Sequence, residues 1–124
     1  RREVAERNRW RAREVQPAAP KVLIFAEQMP EFPGGDNALM KFLAQNIDYP
    51  RMEKENDIAG KVITQFTVNE DGTVSDIQIL RSPSNGFNKE ATRVIKMLPP
   101  FKPGMQQGRA VKVRFNLPII FKLS

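Results

Sequence analysis

Glu53, Glu55, Asp71 and Asp76 are the carboxylates that acid–base chemistry would have to enlist, and the chain gives them no helpers. It contains no histidine and no cysteine. The commonest general base, the commonest metal ligand and the thiolate nucleophile are therefore all missing. Asp71 precedes Gly72 in a turn-like stretch, where an aspartate is favoured for bonding its own backbone. Asp76 shares a strand face with Gln78. Gly34-Gly35 and Gly104 lack the spacing and the following Lys-Ser/Thr of a phosphate loop. The residues point to a protein with no catalytic group, no metal and no cofactor, whose work is binding.

The chemistry left is that of backbone edges and basic side chains. From Val111 to Leu123 every odd position is apolar, and among the even positions only Ile120 is. Period-2 alternation predicts a strand with one buried and one wet face. Pro118 lies inside it and has no N–H to offer a ladder, which suits an edge strand. An open edge is either a hazard or a docking site for an added strand. Arg109, Lys112 and Arg114 read either as the wet face of this strand and its approach, or as a basic row flanking an added peptide.

The elements before it must position that edge. Val22 to Phe25 is long enough for one small strand. A Pro/Gly-rich segment follows, and Asp36 is expected to cap a helix reaching Ile47, with Leu39, Phe42, Leu43 and Ile47 along one face. Asp48-Tyr49-Pro50 stops it. Residues 51–59 are charged and weakly patterned. Lys61 to Asn69 is predicted as a strand, with Glu70-Asp71-Gly72-Thr73 as a hairpin turn. The return strand, Val74 to Leu80, carries apolar residues on both faces, which implies cover on both sides or a bulge. After a loop at 82–86, Asn88 is expected to cap a second helix presenting Ala91, Val94, Ile95 and Leu98. Residues 101–108 form a turn-rich link.

A hairpin followed by a right-handed crossover places the final strand beside the first of the hairpin. The expectation is an α+β, two-layer domain: a three-stranded antiparallel/mixed sheet, ordered second-first-last, with two helices on one face. Pairing is expected to change at Pro118, with Ile119–Leu123 running past the first strand against Val22–Phe25.

The net charge of +6 is unevenly spread. Residues 1–16 hold six arginines and three glutamates, so about half the excess sits in a polar tail. A Pro/Ala linker ends near Pro20, and the domain is expected over 21–124. The chain opens on Arg1, which reads as a piece of a longer protein. With no aromatic-rich basic face beyond the tail, no nucleic-acid partner is expected.

Taken in order, these pieces resemble the C-terminal domain of TonB, from about Val22 to Leu123. Tyr49-Pro50 is similar to the family's YP after its first helix. Gly60-Lys61-Val62 with Phe66-Thr67-Val68 resembles its first long strand. Asp71-Gly72, Val74, Ile77 and Leu80 resemble its hairpin and return strand, and Phe87 to Met97 its second helix. Phe101, Pro103 and Gly104, followed by Val113 and Phe115, resemble its W-x-P-G turn and last strand. Phe25 to Gly35 is similar to a large TonB-like branch. Two features depart from the pattern: Asn46 stands where classical members carry Gln, and Phe101 where they carry Trp.

The resemblance implies a periplasmic domain of a transducer anchored in the inner membrane by an N-terminal helix. It implies coupling of the proton-driven ExbB–ExbD complex to outer-membrane TonB-dependent transporters, whose TonB box is gripped as an added strand. The residues expected at that grip are Asn46, Tyr49, Pro50, Arg109, Val111, Lys112, Val113, Arg114, Phe115, Asn116 and Leu117. The alternatives are a partner-binding appendage of a membrane sensor or peptidase, and a self-dimer through the same edge.

Overall fold

The computed structural model describes residues 22–123. The basic tail and the linker expected before Lys21 lie outside the described residues. The elements are β1 (Val22–Leu23), α1 (Asp36–Asn46), α2 (Arg51–Glu55), β2 (Gly60–Val68), β3 (Val74–Arg81), α3 (Asn85–Lys96), β4 (Gly104–Gln106) and β5 (Arg109–Phe121).

The sheet runs β3-β2-β5-β1, with β4 also paired to β5. Its centre is the expected second-first-last order. β2 lies antiparallel to both neighbours, so β3 and β5 run parallel to each other. The β2–β5 ladder is continuous over nine pairs, from Gly60↔Phe121 to Val68↔Val113. This corrects two expectations. Pairing does not change at Pro118, which sits in register opposite Ile63. A proline permits this when its nitrogen faces the unpaired side of the strand. Ile119–Phe121 does not run past the first strand but pairs with Gly60–Val62, while Val22 and Leu23 pair in parallel with Lys112 and Val113.

Alternation along β5 is obeyed. Val113, Leu117, Ile119 and Phe121 are buried, while Asn116, Pro118 and Ile120 are exposed. Their buried face meets Val62, Phe66 and Val68 of β2, with Leu39, Leu43, Phe87, Ala91, Val94 and Ile95 of the helices above. Phe87 stacks on Phe121 at 4.1 Å between ring centres, and Phe66 on Phe115 at 5.4 Å. Burying a phenylalanine of this kind contributes about 1.5–3 kcal/mol.

Of the two alternatives left open for the return strand, cover on both sides or a bulge, the bulge is present. The β2–β3 register shifts between Gln65 and Thr67, and Asp76 has a φ of 53°. A bulge twists an edge strand away from further pairing. At the hairpin tip Gly72 has a φ of 87°, and a Cβ there would lie 2.0 Å from the Phe101 carbonyl oxygen. Only glycine fits, and Phe101 N–H in turn donates to Gly72 O at 2.8 Å.

Other boundaries differ from expectation. A third helix, α2, occupies the weakly patterned 51–55. Helix α1 is capped at Gly35, with Asp36 already in its first turn. Helix α3 starts at Asn85 with Ser84 at its N-cap, so Asn88 lies inside it. The expected turn-rich link contains β4 and a tight turn at Gln107 and Gly108, both with positive φ, which suits a two-residue hairpin.

Candidate functional site: the open edge of β5

On the side of β5 away from β2, β1 occupies only Lys112 and Val113. Arg109, Ala110 and Val111 pair with β4. From Arg114 to Phe121 the described residues supply no strand on that side. The imino nitrogen of Pro118 faces this open side, and strand geometry gives Arg114, Asn116 and Ile120 the same outward backbone orientation. Leu117 is oriented the opposite way: its carbonyl accepts the Thr64 hydroxyl at 2.7 Å, across the β2 ladder. The edge therefore presents the N–H and C=O groups of Arg114, Asn116 and Ile120, and the C=O alone of Pro118.

The expected site residues divide into three sets. Arg109, Val111, Lys112 and Val113 belong to the already paired end of β5. Lys112 Nζ is held by Glu70 at 3.2 Å and Asn69 Oδ1 at 3.0 Å, so it clamps the hairpin tip rather than facing outward freely. Arg114, Phe115, Asn116 and Leu117 lie on the open stretch. Phe115 and Leu117 direct their side chains to the helix side of the sheet. Arg114 reaches Asp76 at 3.9 Å, and Asn116 bonds Gln65 Nε2 at 3.1 Å.

Asn46, Tyr49 and Pro50 form the third set, at the Phe121 end. Ten residue steps lead from Val111 to Phe121, roughly 33 Å of strand, so the two ends of the expected site do not converge. Tyr49 packs edge-on against Phe87 and Phe121, each at 5.7 Å, and its hydroxyl donates to the Ile58 carbonyl. Burial raises its phenol above the ordinary range, with Asp57 and Glu53 adding to the effect. It acts as a neutral structural donor. Pro50 caps α2.

Asn46 Nδ2 bonds Phe42 O, and the Asn46 carbonyl accepts from Arg93 at 2.8 Å. A cation on the last carbonyls of a helix is favourable. Arg93 also holds Glu90 at 2.6 Å, and Glu90 accepts the Asp48 N–H at 2.6 Å. Burial opposes ionisation of Glu90, but the Arg93 bonds and the Asp48 N–H outweigh it and keep its carboxyl low. This network fixes the end of α1 relative to α3.

The carboxylates first considered for chemistry are structural. Glu53 is buried at the start of α3, Glu55 pairs with exposed Arg51, and Asp71 accepts from Thr73 N and Oγ1. Among the described residues no group of three or more His, Cys, Asp or Glu side chains is placed to hold a metal. No described helix is long and apolar enough to cross a membrane.

Sequence reasoning missed the wall beside this edge. Met40, Ala44 and Ile47 follow one another at i, i+4 and i+7 on and just past α1, next to Pro118, Ile119 and Ile120. Met40 is 48% exposed and Ile120 60%. No periodic signal marks this wall, since Ile120, the lone apolar even-numbered residue between Val111 and Leu123, turns its side chain to the wet face.

A sequence profile described as Gram-negative bacterial TonB protein C-terminal matches residues 45–123. Protein TonB of Pseudomonas aeruginosa is 34% identical over 76 residues, covering 60% of this chain and 22% of that protein. Protein TonB of Helicobacter pylori is 32% identical over 76 residues, covering 60% and 25%. The chain thus spans about a quarter of the length of the curated relatives it matches. The solution NMR structure of the P. aeruginosa TonB CTD superposes with a TM-score of 0.51 at 33% identity, covering 62% of this chain and 78% of that one. An NMR structure of the H. pylori TonB-CTD gives 0.53 at 29%, covering 74% and 87%.

Proposed function

The chain belongs to the TonB C-terminal family, and from that premise we propose that it is the periplasmic, partner-gripping domain of a TonB-like energy transducer. Its partner is the TonB box of an outer-membrane TonB-dependent transporter, an extended segment that adds as a strand to β5. The observation that carries this reading is the outer backbone edge of β5 from Arg114 to Ile120, which among the described residues is paired on its β2 side alone. Main-chain hydrogen bonds would supply affinity tolerant of peptide sequence, and alternate side chains would supply selectivity. Arg109, Val111, Lys112 and Val113 flank the entering strand, while Asn46, Tyr49 and Pro50 hold the far end of the site in shape. The rest of the transducer, an inner-membrane helix driven by ExbB–ExbD, belongs to the parent protein. Such a device converts a proton gradient into tension and needs no catalytic side chain in this domain.

Titrating a TonB-box peptide while following amide shifts tests the reading. Shifts centred on 114–120 are expected. Shifts confined to β3 or α3 would refute it. A concentration-dependent change at 114–120 without peptide would show a second copy of the chain on the same edge.

A further inference from the structure

Beside the open edge, α1 overhangs a shallow apolar recess. Met40, Leu43, Ala44 and Ile47 form one wall, and the backbone edge at Pro118–Ile120 forms the other. Its free volume is about 160 Å³. That is well below the roughly 300–1,000 Å³ of a site for a small organic ligand, and it suits one side chain rather than a helix face or a metabolite.

We propose that this recess is a specificity pocket, which makes the β5 edge select strands carrying one bulky aliphatic side chain at the position beside Pro118–Ile120. The inference rests on the strand-addition reading and adds the residue class that the added strand must present.

The occupant follows from continuity. The residues whose backbone faces the open edge also form the recess wall, so a strand added there must pass along it. A strand paired with β5 lies about 4.8 Å further out, and its side chains alternate between the two faces of the sheet. Those on the helix side project beneath the 40–44–47 stripe. That stripe adjoins the one α1 buries, Leu39 and Leu43, and Leu43 itself also lines the recess. It is apolar along its length and offers no polar atom from a side chain. A serine or aspartate placed there would lose water and gain no hydrogen bond, whereas a leucine would cover Met40 and Ile47. Pro118 strengthens the dependence: lacking an N–H, it withdraws one main-chain bond at this point, so side-chain contact has more to contribute locally.

A random heptapeptide library displayed on phage, selected on the domain, tests this. Wild type should enrich sequences in which one position is restricted to Leu, Ile, Val or Met. Ala44→Trp fills the recess from an exposed position. It should melt like wild type, lose that restriction, and bind the wild-type-selected peptide at least tenfold more weakly. On the peptide side, replacing the restricted residue by Ser should weaken binding to wild type by a similar factor, a measurement independent of how any variant folds. Enriched peptides that shift amides at 114–120 but show no aliphatic position, or a Ser peptide that binds equally well, overturn the pocket and leave strand addition standing. Peptides that shift no amide at 114–120, or no enrichment at all, overturn strand addition itself.

Discussion

The Glu53 carboxylate accepts the Gly86 N–H at 2.9 Å and the Ser84 hydroxyl beside it, so a side chain from α2 caps the first turn of α3. The contact leaves no room for a side chain at position 86: a Cβ there would lie 2.2 Å from Glu53 Oε2. Gly86→Ala should therefore destabilise the domain by roughly 1–3 kcal/mol, the usual cost of overpacking. Denaturant melts of wild type and variant check this.

The same contact gives the stability a pH dependence. The Ser84 hydroxyl bond, with smaller help from the Gly86 N–H, outweighs burial and holds Glu53 below its ordinary value of 4.5. A carboxyl depressed by folding stabilises above its unfolded pKa, and that contribution disappears as pH falls through the folded pKa. Glu53→Gln should be less stable than wild type at pH 7, and the gap should narrow as pH falls below the ordinary carboxyl value of 4.5. Glu70, Asp71 and Glu90 also titrate low, but they do so in both proteins, so the difference isolates Glu53. A gap unchanged between pH 7 and pH 3 would contradict the assignment.

Pro118→Ala restores one outward N–H on the open edge. A net hydrogen bond contributes about 0.5–1.5 kcal/mol, so a peptide strand spanning this point should bind about 2- to 13-fold tighter. Asn116→Pro should do the reverse. It removes an outward donor while leaving the β2 ladder intact. Peptide titration by calorimetry reads both, and thermal melts confirm the fold.

Removing residues up to Leu23 should uncover the outer edge of β5 at Lys112 and Val113, where Lys112 carries the outward N–H and C=O. Val22 is exposed and β1 makes only two pairs, so the loss of stability should be small. Faster amide exchange at Lys112, whose N–H faces outward, and a peptide footprint lengthened by two residues are the expected outcomes.

Phe66 is fully buried, between Phe101 at 5.8 Å and Phe115 at 5.4 Å. Phe66→Ala should cost about 3–5 kcal/mol and abolish peptide binding by loss of fold, which circular dichroism separates from a local effect.

What could be read from sequence was whatever repeats with a period. The alternation in β5 named its buried face, the Asp71-Gly72 turn named the hairpin, and the α1 and α3 stripes named the helix faces against the core. Features held by tertiary contacts had no periodic signal. Helix α2 is only five residues long, and it persists because Glu53 is anchored at α3 and Pro50 starts it. Ser84 won the cap of α3 over Asn88 because Glu53 supplies the acceptor that a capping side chain would otherwise give. The outer edge of β5 was inferred correctly from Pro118. Its shortening to 114 onward was not, since two-residue β1 and three-residue β4 are too brief to announce their partners. The recess required knowing that α1 lies alongside Ile120.

The ladder that joins Gly60–Val68 to Val113–Phe121 also imposes an order on synthesis. Its partners are roughly fifty residues apart, a long loop to close before any reward arrives. Until Phe121 has emerged from the ribosome, Val62, Phe66 and Val68 have no β5 to lie beside, and their apolar face stays uncovered. A nascent chain halted in α3 would expose that face to any holdase nearby, and the open edge of β5 comes into being only with the last step of folding.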